Sequence, residues 1–343
     1  MRRKVLTVIK LVLPTLLFLI LTGSAQDFQL RSKVDLVVVP VTVKGAGDRL
    51  ITGLRKDDFT ILEDGKRQTI TNFSVDPVPL SAAIVLDTAL PLSSLNKVQQ
   101  TFSSLVSSFG DFDEVALYRF DKFVTKVLDF PGDPAKLEAS LKMLPNLNGG
   151  DQYPAFARDP FSSSGPVING AAVVPPDQLA PATTISNLLN DAIYAAASDV
   201  AKRDRERRKI VLVISDGREA GSTHSSDETL TTLLENGIQL YAVTVGEDYL
   251  SKKSGMLRDF AKNTGGDVFN VKSSQGIEKS YSDATEEARN QYILGYISAN
   301  EAKISKPVFR NIEVKLAGSK GETRHRKGYY QYPDKVNAAS KND

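Results

Sequence analysis

The sequence predicts an α/β protein: a doubly wound, mainly parallel six-stranded sheet with a small β domain formed by the N- and C-terminal flanks. Three observations carry this. Two apolar runs, residues 82–87 and 209–216, each end in a carboxylate, Asp87 and Asp216, and then in a polar turn. Runs apolar throughout are strands buried on both faces, as parallel sheets covered by helices require. From residue 81 to 290 such runs alternate with segments of helical periodicity, whereas the stretches before Pro77 and after Gln291 carry β patterns alone.

The 343 residues are 41% hydrophobic, enough for a large core or two modest ones. Residues 1–25 have the order of a secretory signal peptide: basic Arg2, Arg3 and Lys4, an uncharged apolar run from Leu11 to Leu21, then small Gly23 to Ala25. That run is too short for a bilayer core of about 30 Å. Export to the periplasm or the extracellular space is therefore expected, with membrane contact only through the cleaved leader. Absence of cysteine excludes a disulfide framework and a lipid-modified N-terminal cysteine. The full chain carries +2; losing Arg2, Arg3, Lys4 and Lys10 leaves the mature protein near −2. No net basic field remains for nucleic acid.

In residues 26–78, the N-terminal part of the β domain, Val34 to Val43 is β-rich, and Pro40 points to an edge strand or a bulge. Phe59 to Glu63, the Asp64-Gly65 turn and Lys66 to Phe73 form a hairpin signal. The α/β domain is expected over 79–290. Ser93 or Ser94 caps a helix whose inward face is Leu95, Val98, Phe102, Leu105, Val106 and Phe109. Glu114 to Phe120 and Thr125 to Phe130 are antiparallel neighbours at one sheet edge, followed by a helix from Pro134 to Leu144. Residues 145–185 are a Pro/Gly-rich insertion, far longer than an ordinary connection: a disordered surface segment or a partner-binding loop.

Helix Ser186 to Lys202 follows. The basic tract from Lys202 to Lys209 is a solvated helix C-terminus rather than a nucleic-acid site. Next come strand Ile210 to Ser215, helix Asp227 to Glu235 stopped by Gly237, strand Ile238 to Val245 and helix Met256 to Lys262 stopped by Gly265 and Gly266. Strand Asp267 to Val271 and a helix reaching Asn290 complete the domain. Residues 291–333 offer three β runs, Tyr292 to Ser298, Phe309 to Leu316 and Thr323 to Tyr330. Neither flank is stable alone, so the two are expected to pair, ahead of a loose tail at 334–343.

The strand ending in Asp87 and the later Ser215-Asp216-Gly217 resemble a von Willebrand factor type A domain. The flanks sharpen the likeness: Thr52-Gly-Leu54, Asp58-Phe59, Glu63-Asp-Gly65, Gln68 and Phe73-Ser74 upstream, Tyr292, Leu294-Gly-Tyr296, Phe309-Arg310 and Arg326 to Tyr330 downstream. Together they resemble the VWFA-related family of exported acidobacterial proteins, over Val34 to Tyr330. That resemblance implies a metal-ion-dependent adhesion site with the pattern Asp-x-Ser-x-Ser, a Thr in a second loop and a later Asp. Carried over, the acids are Asp87 and Asp216, the two Ser positions fall on Ala89 and Pro91, and the Thr position falls on Asn187, with Thr184 as alternative. Mg²⁺ wants an octahedron of hard oxygens, and the direct hydroxyls are missing. A degenerate site follows, with Asp87 and Asp216 as residual metal ligands, at most weak Mg²⁺ or Mn²⁺ binding, and no cofactor.

No catalytic set competes. Asp87-Thr88 lacks the second Asp of Asp-dependent phosphatases, where Ala89 stands. His224 with Ser222 or Ser225 lacks a Gly-x-Ser-x-Gly elbow and is expected to be exposed. His224 and His325 alone, without cysteine, build no structural zinc site. No Gly-rich phosphate loop follows a strand, so no nucleotide is expected. The expected function is an exported, non-enzymatic protein-interaction or adhesion module with a protein or cell-surface ligand; the alternatives are a structural or assembly subunit of the cell envelope and a Mg-dependent hydrolase.

Overall fold

A computed structural model describes residues 36–144, 186–246, 255–300, 304–318 and 321–333, and the backbone ladder Val167–Ile168 with Ala171–Ala172. The expected leader, the rest of the insertion and the tail lie outside the described residues. Among the described residues sixteen strands, β1 to β16, run in chain order: Leu36–Lys44, Phe59–Glu63, Lys66–Gln68, Ile70–Ser74, Leu80–Asp87, Glu114–Phe120, Val124–Gly132, Val167–Ile168, Ala171–Ala172, Arg208–Ser215, Gln239–Val245, Val268–Val271, Tyr292–Ile297, Val308–Leu316, Glu322–His325 and Gly328–Gln331. The α-helices among the described residues are α1 Leu92–Gln100, α2 Phe102–Ser107, α3 Pro134–Met143, α4 Leu189–Ala201, α5 Ser226–Glu235, α6 Gly255–Thr264 and α7 Ser274–Arg289.

The six-stranded sheet has the order β12-β11-β10-β5-β6-β7, parallel except for β7. The doubly wound expectation holds, and its reason is legible in burial: every residue of β5 and β11 is buried. Leu80, Ala82, Ile84 and Leu86 of β5 pack on α1, α2, α3 and α7. The alternate residues Ala83 and Val85 pack on α4, α5 and α6. From β5 the chain winds outward through β6 and β7, returns, and winds the other way from β10. The switch between β5 and β10 leaves a crevice at the carboxyl ends of those strands.

The flanks interleave in two four-stranded sheets, β15-β1-β13-β4 and β16-β14-β2-β3. Val39, Val41, Tyr292, Leu294, Ile61, Ile312 and Val314 from both sheets share one hydrophobic cluster. The Asp64-Gly65 turn has the positive φ angles its sequence demands, 50° and 78°. Pro40 departs from expectation: β1 is an interior strand between β15 and β13 with no register shift at Pro40, which pairs with Ile293, although pairing with β15 begins only at Val41, just past it. Flank sheets and wound sheet belong to one compact unit, Leu36–Asp343. They are tied by the backbone bridge Thr264 to Arg326 and by Lys44, which reaches Asp267 at 2.7 Å and also Glu287.

Several elements depart from expectation. The single helix from Ser93 to Phe109 is two: α1 starts at Leu92 behind Pro91, and the chain kinks at Thr101, whose hydroxyl donates to Val98 O at 2.7 Å and meets the Tyr281 hydroxyl. Thr101 thus satisfies itself locally and interrupts the helix. Helix α4 begins at Leu189 rather than Ser186, because Asn187 is taken by a two-way backbone bridge to Ala220. The run Thr323 to Tyr330 splits at Arg326 into β15 and β16, which serve different sheets.

Candidate functional site

Register brings the two acids together. Leu86 of β5 faces Ile214 of β10, so Ser215 comes beside Asp87 and Asp216 projects just beyond, at one rim of the sheet. On its other side Asp87 faces Phe120 of β6, and Thr88 caps that strand by donating from N and Oγ1 to Phe120 O.

Asp87 is fully buried and its carboxylate is spoken for. Oδ1 accepts from Ala89 N at 2.9 Å; Oδ2 accepts from Ser215 Oγ at 2.7 Å and from Asn187 Nδ2 at 3.2 Å. Burial, and next the charge of Asp216, push its pKa up to about 7 against the pull of those donors. Asp216 carries its cation in the same turn: Arg218 donates from N to Oδ1 at 3.0 Å and from Nε to Oδ2 at 2.6 Å. The Arg218 side chain is 42% exposed, and among the described residues nothing else accepts from its terminal nitrogens.

Each predicted rim residue has a defined place. Ala89 is buried and Pro91 half-buried at the mouth of α1. Asn187 is buried, with Nδ2 shared between Asp87 and Arg218 O and with Oδ1 unpartnered. Thr184 lies outside the described residues, as does the insertion of residues 145–185 apart from its backbone ladder at Val167–Ile168 and Ala171–Ala172. Ser94, expected only as a helix cap, lies close to the rim: an ideal Cβ on Gly246 would stand 3.9 Å from both its Oγ and Asp216 Cβ.

Sequence inspection missed Arg218. Its signal was there, a cation two residues after the acid, but only the tight turn at Gly217, with φ of 80°, folds it back onto Asp216. His224, expected to be exposed, is half-exposed and also engaged: its Nδ1 lies 2.6 Å from Asp191 Oδ1 and its ring stacks on Tyr194 at 3.7 Å. Asp191 also accepts from the backbone of Thr223 and His224, which hold its carboxyl below the usual range despite partial burial. That cluster pins the loop after Asp216.

The wound sheet, its switch point and the paired strand-tip acids coincide with a profile match: the von Willebrand factor type A domain profile covers residues 177–283. Residues 177–283 match a von Willebrand factor type A domain. Such domains generally serve adhesion or protein interaction. The match starts within the insertion and takes in Asp216 but not Asp87; the first half of the type A domain is read from sheet order. Solved structures resembling it include the conserved hypothetical protein BatB from Bacteroides thetaiotaomicron, 16% identical, TM-score 0.42, covering 61% of this chain and 98% of that one. Another is proximal thread matrix protein 1 from the mussel byssus with a zinc-occupied MIDAS motif, 17% identical, TM-score 0.42, covering 66% and 49%. A third, von Willebrand factor type A from Catenulispora acidiphila, is 10% identical with TM-score 0.43, covering 89% and 75%. At these identities none carries a residue's role over to this chain. No curated protein matches.

The donor set does not fit a hard divalent cation. Both oxygens of Asp216 are occupied by Arg218, and those of Asp87 by two N–H groups and a hydroxyl. The two direct hydroxyl positions hold Ala89 and Pro91, and among the described residues no three Asp, Glu or His converge. Chemically the rim is a hydrogen-bonded acid pair with a tethered guanidinium.

Proposed function

We propose that this protein is an exported, non-enzymatic interaction or adhesion module of the VWFA-related kind, with a degenerate adhesion site that grips a protein or cell-surface ligand without a metal ion. The observation that carries this is the Arg218 guanidinium on Asp216 at 2.6 Å, because it neutralises the acid a cation would need and is covalently tethered. Ala89, Pro91 and Asn187 then line a contact surface rather than a coordination shell. Export rests on the leader sequence of residues 1–25. The non-enzymatic reading is supported by the wiring of the one imidazole near the rim: His224 is committed to Asp191 and Tyr194, and among the described residues no hydroxyl hydrogen-bonds its ring.

Calorimetric titration of the mature protein with Mg²⁺ and Mn²⁺ tests the metal-independent part. The expected result is no saturable binding in the micromolar range; micromolar binding that disappears in Asp87→Ala and Asp216→Ala overturns it. Crosslinking pull-down from the native envelope tests the interaction, with recovery expected to survive EDTA and to fall in Arg218→Glu.

A further inference from the structure

The wound sheet ends at β12, which pairs with β11 on one side and, among the described residues, with nothing on the other. Register says which backbone groups face the unpaired side. Ala242 lies opposite Val268 and donates from N to Asp267 O at 2.9 Å. The ladder therefore uses Phe269 and Val271, and the N–H and C=O groups of Val268 and Asn270 point outward. The Val268 N–H is taken in place by Asp267 Oδ1 at 2.7 Å. Val268 O, Asn270 N and Asn270 O have no partner among the described residues.

Two cavities flank this edge, one on each face of the sheet. Val268 and Asn270 line both, as an outward-facing backbone between them must. The larger, about 1380 Å³, lies on the α7 side, where Phe269 and Val271 join the core. Leu50, Leu54, Phe73 and Tyr292 line it as well, and its buried charges Lys44 and Glu287 are spent on each other. The smaller, about 330 Å³, lies on the α6 side, which the Val268 side chain takes. It is basic. Arg258 and Lys262, one turn apart on α6, and Lys327 pair with no acid among the described residues, while Asp267 and Glu322 both face Arg324.

We propose that β12 takes up an extended segment of a partner protein as a further strand of the sheet, one whose side chains alternate apolar and acidic. An added strand supplies the donors and acceptors that the outward groups of Val268 and Asn270 lack. Its side chains alternate between the two faces. One set enters the apolar-walled cavity on the α7 side, and the other meets Arg258, Lys262 and Lys327. Asp267, held by Lys44 and Arg324, closes one end of the edge, so pairing is confined to Val268–Val271. Four residues give few ladder bonds, and the two cavities therefore supply the selectivity. Nothing in this surface uses Asp87, Asp216 or Arg218.

Calorimetric titration of the mature protein with the end-capped peptide Val-Glu-Val-Glu-Val-Glu tests it, with Val-Lys-Val-Lys-Val-Lys and the block sequence Val-Val-Val-Glu-Glu-Glu as controls. The alternating acidic peptide should bind saturably, and both controls at least tenfold more weakly. Asn270→Pro deletes an outward N–H that β11 does not use, a change an edge strand tolerates, and should raise the Kd at least tenfold. Asn270→Ala keeps that N–H and should stay within twofold of the unsubstituted protein. Arg258→Glu combined with Lys262→Glu, both exposed positions where folding is not at stake, should also raise it at least tenfold. In the unsubstituted protein, hydrogen exchange of the Asn270 amide should slow when the peptide is bound. Absence of saturable binding overturns the proposal, as does unchanged exchange at Asn270 or equal affinity in Asn270→Pro and Asn270→Ala. Lysine or block peptide binding as tightly as the alternating acidic one overturns the assigned partner chemistry.

Discussion

Single atoms decide the chemistry of the rim. A carboxylate at a strand tip is available to a metal only while its oxygens face solvent or mobile water, and here Arg218 closes over Asp216 through a two-residue turn. Restoring the hydroxyls alone should therefore fail. The triple variant Ala89→Ser, Pro91→Ser, Arg218→Ala is expected to bind Mn²⁺ at least tenfold more tightly than Ala89→Ser, Pro91→Ser, as measured by calorimetry; equal affinities would remove Arg218 from the account.

His325 makes a pH-dependent statement at the same scale. It is buried, takes a hydrogen bond from Val314 N on Nε2 at 3.2 Å, places Nδ1 at 2.8 Å from Arg326 O, and desolvation pushes its pKa down from 6.5 to about 4. A base whose folded pKa is depressed leaves the unfolded chain binding more protons at low pH. Its neutral form thus stabilises the fold above pH 6.5, and that contribution is lost as pH falls to about 4. Chemical denaturation across this window should show a slope of at most about 1.4 kcal/mol per pH unit from this residue, absent in His325→Gln.

At the scale of elements, local codes explain the starts of some helices and not others. Helix α5 carries a capping box, Ser225 accepting from Glu228 N at 3.2 Å while Glu228 Oε2 accepts from Ser225 N at 2.8 Å. Ser225→Ala is expected to cost about 1 kcal/mol by urea unfolding. Helices α1 and α4 have no side-chain cap, and their starts are set by Pro91 and by the Asn187 bridge, contacts invisible to periodicity. Close approach governs the loop between α6 and β12: a Cβ on Gly266 would fall 1.9 Å from Leu240 O. Gly266→Ala should destabilise by about 2–3 kcal/mol, measured the same way; a neutral result would mean that this backbone moves freely.

For the whole molecule, the joint between flank sheets and wound sheet is ionic. Lys44, 3% exposed, leaves β1 to meet Asp267 and Glu287, and Arg324 from β15 reaches Asp267 as well. Glu287 is pushed up to about 7 by burial even so. Lys44→Ala strands the buried Glu287, since Asp267 keeps Arg324, and a loss of about 3–5 kcal/mol is expected, partly recovered when Glu287→Gln is added. Loss confined to the flank sheets, with the wound sheet melting unchanged, would show instead that the two parts unfold independently.

The sequence by itself determined the wound sheet, since runs such as 80–87 are too apolar to stand anywhere but in a parallel interior, and it determined which acids end those strands. It also placed both β flanks and the Asp64-Gly65 hairpin, because turn chemistry and alternation are local. Only tertiary structure decided that Arg218 sits on Asp216, that Ser215 and Asn187 spend Asp87, and that His224 pairs with Asp191. Each of these joins atoms across a turn, between strands or between a loop and a helix. Pattern along a chain specifies which face a residue takes, whereas the partner it finds there is fixed by register and packing in three dimensions.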